Sequence, residues 1–551
     1  MINRLRGLFQ RYARTHRYIE GPGFSLSADA ADDGGPVQGH VDRVTLAGSQ
    51  VTFTGWTTAD RVLLVSAEGQ SVTRPNIPRQ DVAKAVGVPP RVGFEISQNY
   101  GDGRFSLTTD LGGVTRRHDV APIPVAMLRR NRRRLARRFI WTLLRLSPQI
   151  FRAMTKGDPA ARAAVKSGLG LSTVLEAGPM ETQLFADPGD DISWPEPVPI
   201  TLVLPVYNAF DLLPRVLQRV LDNTDLPWRL IVIEDCSSDE QVRPWLTQWV
   251  AEQEAQTPGR IELILNESNK GFIGSVNTAL RRAAEIGNHV VLLNSDAFVP
   301  PAWASRLIRP ILMHDKVASV TPMSNDAEIF SVPSICQRMP LTQGQCDAID
   351  ATAQAFHPEA TLSVCPTGVG FCMALSPRFL AQLPAFDTIF GRGYGEENDW
   401  CRKAEALGGR HLCAPNLFVE HRGGQSFGNA DKQRLLERNL RILSGRYPGY
   451  DAEVQEFIRR DPLNTPRLAL GLALAAQRQD GPVPVYLAHA MGGGAESYLQ
   501  DRIAGEVAGG GSALVLRVGQ GHRWKLELYG PSGMTQGLSN DFTLIERLVA
   551  L

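Results

Sequence analysis

Three short apolar runs, each ending in a polar cluster, constrain the fold of this chain most strongly. The runs PITLVLPVYN, WRLIVIEDCSSDE and HVVLLNSDAFV lie between residues 199 and 299 and alternate with stretches of helical spacing. Alternating strands and helices predict βαβ units, and therefore a largely parallel sheet. The strand ends Tyr207-Asn208, Glu234-Asp235 and Asn294-Ser295-Asp296 should then meet at one edge, where such sheets bind ligands.

Asp296 is the candidate metal ligand at that edge. A carboxylate projecting from a strand end supplies the oxygen donor that Mg²⁺ or Mn²⁺ prefers, and diphosphate oxygens would complete the coordination shell. An Asp after a strand is also ordinary turn chemistry. Asp296 by itself therefore leaves both interpretations open.

The length of 551 residues exceeds what one hydrophobic core usually covers, so several domains are expected. Short alternating runs separated by Gly, Asp and Asn predict a small β-sandwich before the α/β domain. The predicted segments are 1–37, basic and then poorly ordered; 38–122, an accessory β-sandwich; 123–196, a basic helical linker; 197–445, the α/β domain; 446–482, a helical extension; and 483–551, a partial α/β unit.

The segment Arg129–Arg138 is strongly basic, although the formal net charge of the whole chain is only +1. It is followed at once by the apolar stretch FIWTLL. A basic helix beside aromatic and apolar residues suits an anionic membrane surface. A solvated helix between domains, with its apolar face packed on a neighbour, explains the pattern equally well. No recognition motif accompanies the charge, so a nucleic-acid partner is not expected.

Cysteine usage and hydropathy indicate a cytoplasmic protein. The seven cysteines lack CxxC or zinc-finger spacing, which favours reduced thiols. No apolar run approaches the roughly 18–20 residues that span a bilayer, and the N-terminus lacks a signal-peptide core. We expect a location in the cytoplasm, with peripheral contact to the inner face of the membrane if the basic helix binds lipid.

Four ordered motifs resemble family 2 glycosyltransferases of the GT-A fold. They are Pro205-Val206-Tyr207-Asn208, Glu234-Asp235-Cys236-Ser237-Ser238-Asp239, the stretch from Asn269 to Asn277, and Asn294-Ser295-Asp296. The resemblance implies an α/β GT-A nucleotide-diphospho-sugar transferase fold, preceded here by the β-sandwich. Two positions depart from the family pattern: Glu234 stands where Asp is frequent, and Asn294 replaces the first Asp of an Asp-x-Asp metal motif.

The same resemblance implies a nucleotide-sugar donor and a Mg²⁺ or Mn²⁺ cofactor. Tyr207 and Asp235 would contact the nucleotide base, and Asp296 would hold the metal. The full implied donor-binding set is Pro205, Tyr207, Asn208, Asp235, Asn269, Gly271, Phe272, Gly274, Asn277, Asn294 and Ser295. His421, at the end of a later apolar strand, would be the last metal ligand, although a lone His at a strand end is usually structural.

The catalytic base is expected in the stretch FGRGYGEENDW, because sugar transfer by direct displacement requires a group that takes the acceptor proton. Helical spacing places Glu396 and Asp399 on one face and turns Glu397 about 100° away. In the family that the chain resembles, the second acid of a Glu-Asp motif is the base, which maps onto Glu397. Glu396, Asp399 and Trp400 are expected on the acceptor side, and Glu396 also suits a helix N-terminus.

The last segment, 483–551, resembles the start of a GT-B glycosyltransferase. A strand, the triple glycine Gly492-Gly493-Gly494, a helix and a second strand follow one another. Two strands cannot close such a core, so Val485, Leu487, Leu514 and Leu516 are expected to expose apolar faces.

These features predict an inverting, metal-dependent glycosyltransferase of bacterial surface polysaccharide synthesis. The donor would be a nucleotide-diphosphate sugar, and the acceptor a hydroxyl of a glycan or a lipid-linked saccharide. A non-catalytic carbohydrate-binding or assembly protein that keeps the fold is the alternative.

Overall fold

The computed structural model divides into two compact units, residues 1–174 and 175–551. No disulfide links the seven cysteines. The described residues are 8–10, 12–13, 16–26, 39–47, 50–66, 69–75, 77, 79–89, 91–100, 103–111, 114–120, 123–155, 165, 169, 177–187, 195–423, 429–478, 481–489, 494–519 and 522–551.

The first unit contains two antiparallel sheets of four strands each, ordered β1-β2-β3-β6 and β5-β4-β7-β8. Buried side chains such as Phe53, Phe94 and Leu107 form its apolar core. The strands are β1 (Tyr18–Ser25), β2 (Gly39–Ala47), β3 (Gln50–Thr57), β4 (Arg61–Ser66), β5 (Gly69–Thr73), β6 (Gly93–Asn99), β7 (Phe105–Leu111) and β8 (Val114–Val120); the helices are α1 (Gln80–Val86), α2 (Val125–Arg145) and α3 (Ser147–Thr155).

Strand β1 corrects the prediction of poor order for residues 1–37. It pairs antiparallel with β2 from Tyr18↔Ala47 to Ser25↔His40. Its sequence, YIEGPGFS, contains Pro and two Gly, which disfavour strands in general but are tolerated at a sheet edge. The remainder of the predicted linker, residues 27–38, lies outside the described residues.

The second unit is built on a mixed sheet of eight strands ordered β12-β11-β10-β13-β17-β15-β18-β16. Strand β10 is parallel to β11 and β13, and β11 is parallel to β12, as the βαβ pattern predicts. The strands of this unit up to residue 421 are β9 (Gly178–Pro179), β10 (Ile200–Val206), β11 (Trp228–Glu234), β12 (Ile261–Leu265), β13 (His289–Leu293), β14 (Ala297–Phe298), β15 (Val317–Met323), β16 (Ser363–Cys365), β17 (Cys372–Leu375), β18 (Arg410–Phe418) and β19 (Glu420–His421).

Helices cover both faces of this sheet, and each face has its own apolar core. The side chains at β10 alternate between the two cores: Leu202 and Leu204 belong to one, and Val203 to the other. The helices are α4 (Leu213–Asn223), α5 (Val242–Gln256), α6 (Gly271–Ile286), α7 (Trp303–Met313), α8 (Gln345–Gln354), α9 (Pro377–Leu380), α10 (Glu396–Ala406), α11 (Asn429–Arg446), α12 (Tyr450–Arg460) and α13 (Asn464–Arg478).

The C-terminal segment forms a second sheet, ordered β20-β21-β22-β23-β9, that shares the main core. Two of its strands were not predicted, and strand β9, far earlier in the chain, completes it through Gly537↔Gly178. Gly492 and Gly493 lie outside the described residues. The elements are β20 (Val485–His489), α14 (Gly494–Ala508), β21 (Ala513–Gly519), β22 (His522–Gly530), β23 (Gly533–Ser539) and α15 (Phe542–Val549).

The predicted exposure of four apolar side chains in this segment is correct for two of them and wrong for the other two. Val485 and Leu487 are 46% and 80% exposed, as expected, but Leu514 and Leu516 are only 1% and 7% exposed. The reason is that β21 lies inside the sheet between β20 and β22, and its apolar face packs in the core of the α/β domain. The sheet is therefore structurally continuous with that domain.

Shared burial predicts that mutations in this segment destabilise the second unit. Leu526→Ala, at a fully buried position in the main core, should lower the free energy of unfolding by about 2–5 kcal/mol. Leu487→Ala, at an exposed position of the same sheet, should change it by less than about 0.5 kcal/mol. Urea unfolding measures both, and equal small effects would contradict a shared core.

Candidate active site

A cavity of about 1000 Å³ lies where β10, β11 and β13 end. The parallel pairing of these strands brings their polar ends to one edge, as predicted. Twelve predicted site residues line the cavity: Pro205, Tyr207, Asp235, Asn269, Gly271, Phe272, Asn294, Ser295, Asp296, Glu396, Glu397 and His421.

Asp235 fixes the turn that leads into α6. It is 3% exposed, and one carboxylate oxygen accepts hydrogen bonds from Asn266 Nδ2 and from the backbone N–H of Lys270, both at 2.8 Å. The preceding Glu234 is fully buried, accepts from the backbone N–H of Ser237 and from Arg243 Nε, and lines no part of the cavity. Asp235 therefore faces the cavity, whereas Glu234 has a structural role.

Asp296 and His421 meet although 124 residues separate them. The short strands β14 and β19 pair antiparallel, with Ala297 opposite His421. The backbone N–H of Arg422 also donates to the carbonyl of Asp296 at 3.0 Å. As a result, Asp296 Oδ1 lies 3.3 Å from His421 Nε2.

The imidazole of His421 is held in one orientation. Its Nδ1 lies 2.6 Å from the carbonyl oxygen of Asp326, so Nδ1 carries a proton and donates, and the ring stacks on Phe371 with centroids 5.0 Å apart. Burial lowers the pKa of His421, but the Asp296 carboxylate outweighs burial, and the net pKa is raised. Nε2 is thus the atom available to a proton or to a metal ion.

The donor set of Asp296 and His421 suits a divalent cation of the Mg²⁺ or Mn²⁺ type. A carboxylate oxygen and an imidazole whose Nδ1 is fixed by a carbonyl are ordinary ligand chemistry, and both line the cavity. Within the part of the chain that the structure describes, no group of three or more His, Cys, Asp or Glu forms a metal cluster. Diphosphate oxygens and water would therefore complete the coordination shell.

Glu396 and Glu397 form a pair at the start of α10, in which Glu396 is buried and Glu397 is half-buried. The preceding turn requires left-handed backbone at Tyr394 (φ 69°) and Gly395 (φ 103°), which turns the first residues of the helix into the cavity. Their carboxyl groups are hydrogen-bonded to each other, and the backbone N–H groups of Gly370 and Gly395 donate to Glu397. Helical spacing predicts Glu396 and Asp399 on one face, but Glu396 lines the cavity together with Glu397, and Asp399 does not line it.

Burial raises the pKa of both carboxyl groups of this pair, and the neighbouring charge of Glu397 raises that of Glu396 further. Their mutual hydrogen bond raises the pKa of Glu396 and lowers that of Glu397. The two carboxyl groups therefore titrate as one coupled pair, and both pKa values of the pair are raised above that of an ordinary Glu.

The raised pKa of this carboxyl pair predicts how kcat/KM falls at low pH. A base works only when ionised, so kcat/KM should fall as the pH drops through an apparent pKa that belongs to the pair and lies above the ordinary Glu value of about 4.3. Initial rates measured from pH 4 to pH 9 test this. A profile without an acid limb above pH 4.5 would contradict the assignment.

Three predicted donor-binding residues lie beside the cavity rather than on its wall. Asn208 joins two strand ends: its backbone N–H donates to Ser237 Oγ at 2.9 Å, and its side chain bonds Ser238. Asn277 is 2% exposed and exchanges two hydrogen bonds with the backbone of Phe386. Gly274 is absent from the cavity lining as well. Their contacts support the loops that the lining residues occupy.

Asp399 and Trp400 correct the acceptor-side prediction. Asp399 is 1% exposed and binds Arg446 Nη1 and Lys403 Nζ, both at 2.6 Å, together with the hydroxyl of Tyr447. Trp400 is equally buried and donates from Nε1 to the carbonyl of Leu383 at 2.9 Å. Both residues anchor α10 in the core behind the carboxyl pair.

Several cavity residues come from segments that carry no recognised motif. Ser324-Asn325-Asp326 follows β15 as a polar end of an apolar strand, the same signal that identified Asp296, and it could have been used. The buried Arg467 supports this segment from α13 by donating to the carbonyls of Ile329 and Ser331. Three further polar lining residues, Ser275, Arg392 and Tyr394, lie within the recognised stretches but were not assigned a role. The lining residues with polar or charged side chains outside those stretches are Asp326, Glu328, Arg338, Arg434 and Arg438.

Comparison with known proteins identifies the family of the segment that contains the strand-end residues of this cavity. Residues 201–348 match the family described as Glycosyl transferase family 2. This range includes β10 to β15 together with Asp235, Asp296 and Asp326.

Individual relatives match the same part of the chain. TuaG of Bacillus subtilis (strain 168), whose name refers to teichuronic acid biosynthesis, is 32% identical over 97 residues, which is 18% of this chain and 35% of TuaG. The Escherichia coli UDP-Glc:alpha-D-GlcNAc-diphosphoundecaprenol beta-1,3-glucosyltransferase WfgD is 33% identical over 97 residues, 18% of this chain and 34% of WfgD. The chain thus spans about a third of the length of these curated relatives.

Among solved structures, the mannosyltransferase PcManGT from Pyrobaculum calidifontis, in complex with GDP-Man and Mn²⁺, is 18% identical, with a TM-score of 0.34 over 66% of this chain and 90% of that one. Family assignment and sheet topology rest instead on the sequence match and on the strands themselves. The mixed α/β domain that contains residues 201–348 is accordingly a glycosyl transferase family 2 domain of the GT-A fold.

Proposed function

We propose that the chain is an inverting, metal-dependent glycosyltransferase that moves a sugar from a nucleotide-diphosphate donor to a hydroxyl group of a glycan or lipid-linked acceptor. A lipid-linked acceptor is included because WfgD is named for a diphosphoundecaprenol substrate. Asp235 and Tyr207, which line the cavity, are proposed to contact the nucleotide. Asp296 and His421 are proposed for the metal, and Glu397 for the base.

The proposed reaction is a single displacement. The Glu397 carboxylate takes the proton of the acceptor hydroxyl, whose oxygen forms the new bond to the anomeric carbon while the bond from that carbon to the diphosphate oxygen breaks. The electron pair of the broken bond leaves with the nucleoside diphosphate. Attack from the face opposite the leaving group inverts the anomeric configuration.

A divalent ion bound by Asp296 and His421 would neutralise negative charge on the leaving diphosphate. The protein contributes the fixed orientation of both ligands, through the β14–β19 pairing and the bond from His421 Nδ1 to Asp326. It also places the half-buried Glu397 beside Glu396, in surroundings that raise the pKa of both carboxyl groups.

One observation carries the proposal: a single cavity is lined by both the Asp296–His421 pair and the Glu396–Glu397 pair. Direct displacement needs a group that stabilises the leaving diphosphate on one side of the anomeric carbon and a base on the other side. Both groups must be held close to that carbon. A carbohydrate-binding protein has no need of two adjacent carboxyl groups whose pKa values are raised.

The stereochemical part of the proposal is testable by proton NMR of the product. An α-linked donor sugar should give a β-linked product, seen from the anomeric coupling constant of a sugar with an axial H2. Retention of the α configuration would contradict a single displacement and the role given to Glu397.

We also propose that α2 binds an anionic membrane surface. Its seven arginines between Arg129 and Arg138 are all exposed, and Ile140, Trp141 and Leu144 are 57%, 74% and 63% exposed. Leu135 and Phe139, on the opposite side, are buried against Tyr12 and its neighbours. Buried and exposed apolar residues on one helix allow it to pack on its own unit and still present an apolar, basic surface.

Vesicle binding tests this second proposal. Co-sedimentation should be stronger with vesicles containing phosphatidylglycerol than with pure phosphatidylcholine and should weaken with salt, because each basic residue contributes about 1 kcal/mol near an anionic surface. Replacing Arg133, Arg134 and Arg137 by Gln should remove most binding, whereas replacing the exposed Arg117 and Arg460 should not. Equal binding to both vesicle types would reject lipid binding and favour the alternative, a solvated helix between domains.

No described helix is long and apolar enough to cross a bilayer.

A further inference from the structure

We infer that the cavity has a second anion-binding subsite, formed by Arg434 and Arg438 of α11, which takes a phosphate or carboxylate group of the acceptor. This inference rests on the proposed function, because it assigns a substrate class to the half of the cavity that holds the base.

Helix α11 is hydrogen-bonded to the loop that directly precedes Glu396 and Glu397. The side-chain amide of Asn439 donates to the carbonyls of Phe390, Gly393 and Tyr394 at 2.9, 2.9 and 2.8 Å. Asn439 is 1% exposed, so these bonds are shielded from water. The loop ends at Gly395, directly before Glu396. The face of α11 that lines the cavity therefore lies on the side of the base.

Arg434 and Arg438 are four residues apart, which places them one above the other on this face, and both line the cavity. Arg438 donates from Nη2 to the carbonyl of Ile389 at 2.8 Å, a neutral acceptor. Among the described residues no carboxylate pairs with Arg438. A guanidinium has five N–H donors in a planar fork, so Arg438 keeps donors available for a phosphate or carboxylate.

The other two cavity arginines have polar partners in the proposed donor half. Arg338 lies 3.2 Å from Asp326 and donates to the carbonyl of Arg422, both beside the Asp296–His421 pair. Arg392 donates to Asn269 Oδ1 at 2.8 Å, at the start of α6. In a single displacement the acceptor oxygen attacks the anomeric carbon from the side opposite the leaving diphosphate. An anion bound by α11 would hence be carried by the acceptor and not by the donor.

The subsite can be probed with the donor half filled. The full chain is first saturated with Mg²⁺ and a nucleoside diphosphate, chosen from UDP, GDP and dTDP by thermal shift. Inorganic phosphate and, separately, glucuronate are then titrated by calorimetry. Phosphate binding alone indicates a phosphorylated acceptor, and preferential glucuronate binding indicates an acidic sugar.

Arg438→Gln should weaken binding of the preferred anion by roughly tenfold or more, as expected for the loss of a charge-assisted hydrogen bond. Arg434→Gln should also weaken it, while Arg438→Lys should retain part of it. Arg441→Gln is the matched control, because Arg441 lies on the same helix outside the cavity lining. Affinity for the nucleoside diphosphate should not change in any of these variants.

Three results would overturn the inference. The first is failure of the saturated wild-type protein to bind either anion, and the second is an equal loss of anion affinity in Arg438→Gln and Arg441→Gln. The third is a loss of nucleoside diphosphate affinity in Arg438→Gln, which would show that α11 contacts the donor. If no nucleoside diphosphate binds the wild-type protein, the proposed function itself fails, which is a different result from loss of the second anion alone.

Discussion

Glu397→Gln is expected to lower turnover by roughly 10²- to 10⁴-fold while leaving donor affinity close to that of the wild-type protein. Gln has nearly the volume of Glu and can still accept bonds from the backbone N–H groups of Gly370 and Gly395. It cannot take the proton of the acceptor hydroxyl. Steady-state rates together with donor binding measured by calorimetry separate the loss of the base from a loss of binding.

Glu396→Gln is the matched control for this experiment. An amide at position 396 keeps nearly the volume of Glu and can donate a hydrogen bond to Glu397, so the cost should be much smaller. If the two variants rank in the opposite order, the base is Glu396 and the motif has been placed one residue too late.

Asp296→Ala is expected to remove the metal dependence of donor binding. In the wild-type protein, EDTA should weaken donor affinity by on the order of 10²-fold, because charge on the diphosphate is no longer neutralised. The variant should have this low affinity with or without Mn²⁺. Calorimetric titration of the donor measures the affinity of the wild-type protein and of the variant, and it does not require turnover.

The control for Asp296 is again Glu396→Gln, which removes a carboxylate from the same cavity but not from the proposed metal pair. Its donor affinity should remain sensitive to EDTA. If the donor binds equally well with EDTA, and equally well to Asp296→Ala, the metal has no part in donor recognition.

Local sequence pattern was sufficient to predict the strand ends of the α/β domain. The apolar runs ending at Tyr207, Asp235 and Asp296 are properties of about ten consecutive residues each, and parallel pairing then requires them to share an edge. The strand-end side of the cavity, which is the proposed donor half, could therefore be predicted from the sequence without knowledge of side-chain contacts.

The proposed acceptor half of the cavity depends on contacts between residues distant in the chain. The helix pattern alone cannot show that Arg446 and Lys403 neutralise Asp399 in the core, or that the turn at Tyr394 directs Glu396 toward Glu397. Arg438 lies on a helix whose sequence carries no motif. Such residues can be assigned only when the helices have been placed against the sheet.

The C-terminal sheet was underestimated for a similar reason. Its strand β22, HRWKLELYG, alternates Trp524, Leu526 and Leu528 with charged residues, which is a strand pattern in its own right. Its neighbour β23 is rich in Gly and polar residues, and the final strand, Gly178–Pro179, has only two residues. Neither has a recognisable pattern, so the closure of this sheet was not predictable.

The most direct test of the account is release of nucleoside diphosphate from a panel of nucleotide sugars in the presence of Mn²⁺. We expect at least one donor to be cleaved by the wild-type protein, faster with acceptor present, and the rate to fall by at least about 10²-fold in Glu397→Gln. Binding of a nucleotide sugar without any cleavage across the panel, or cleavage that is equally fast in Glu397→Gln, would contradict the proposed glycosyltransferase mechanism.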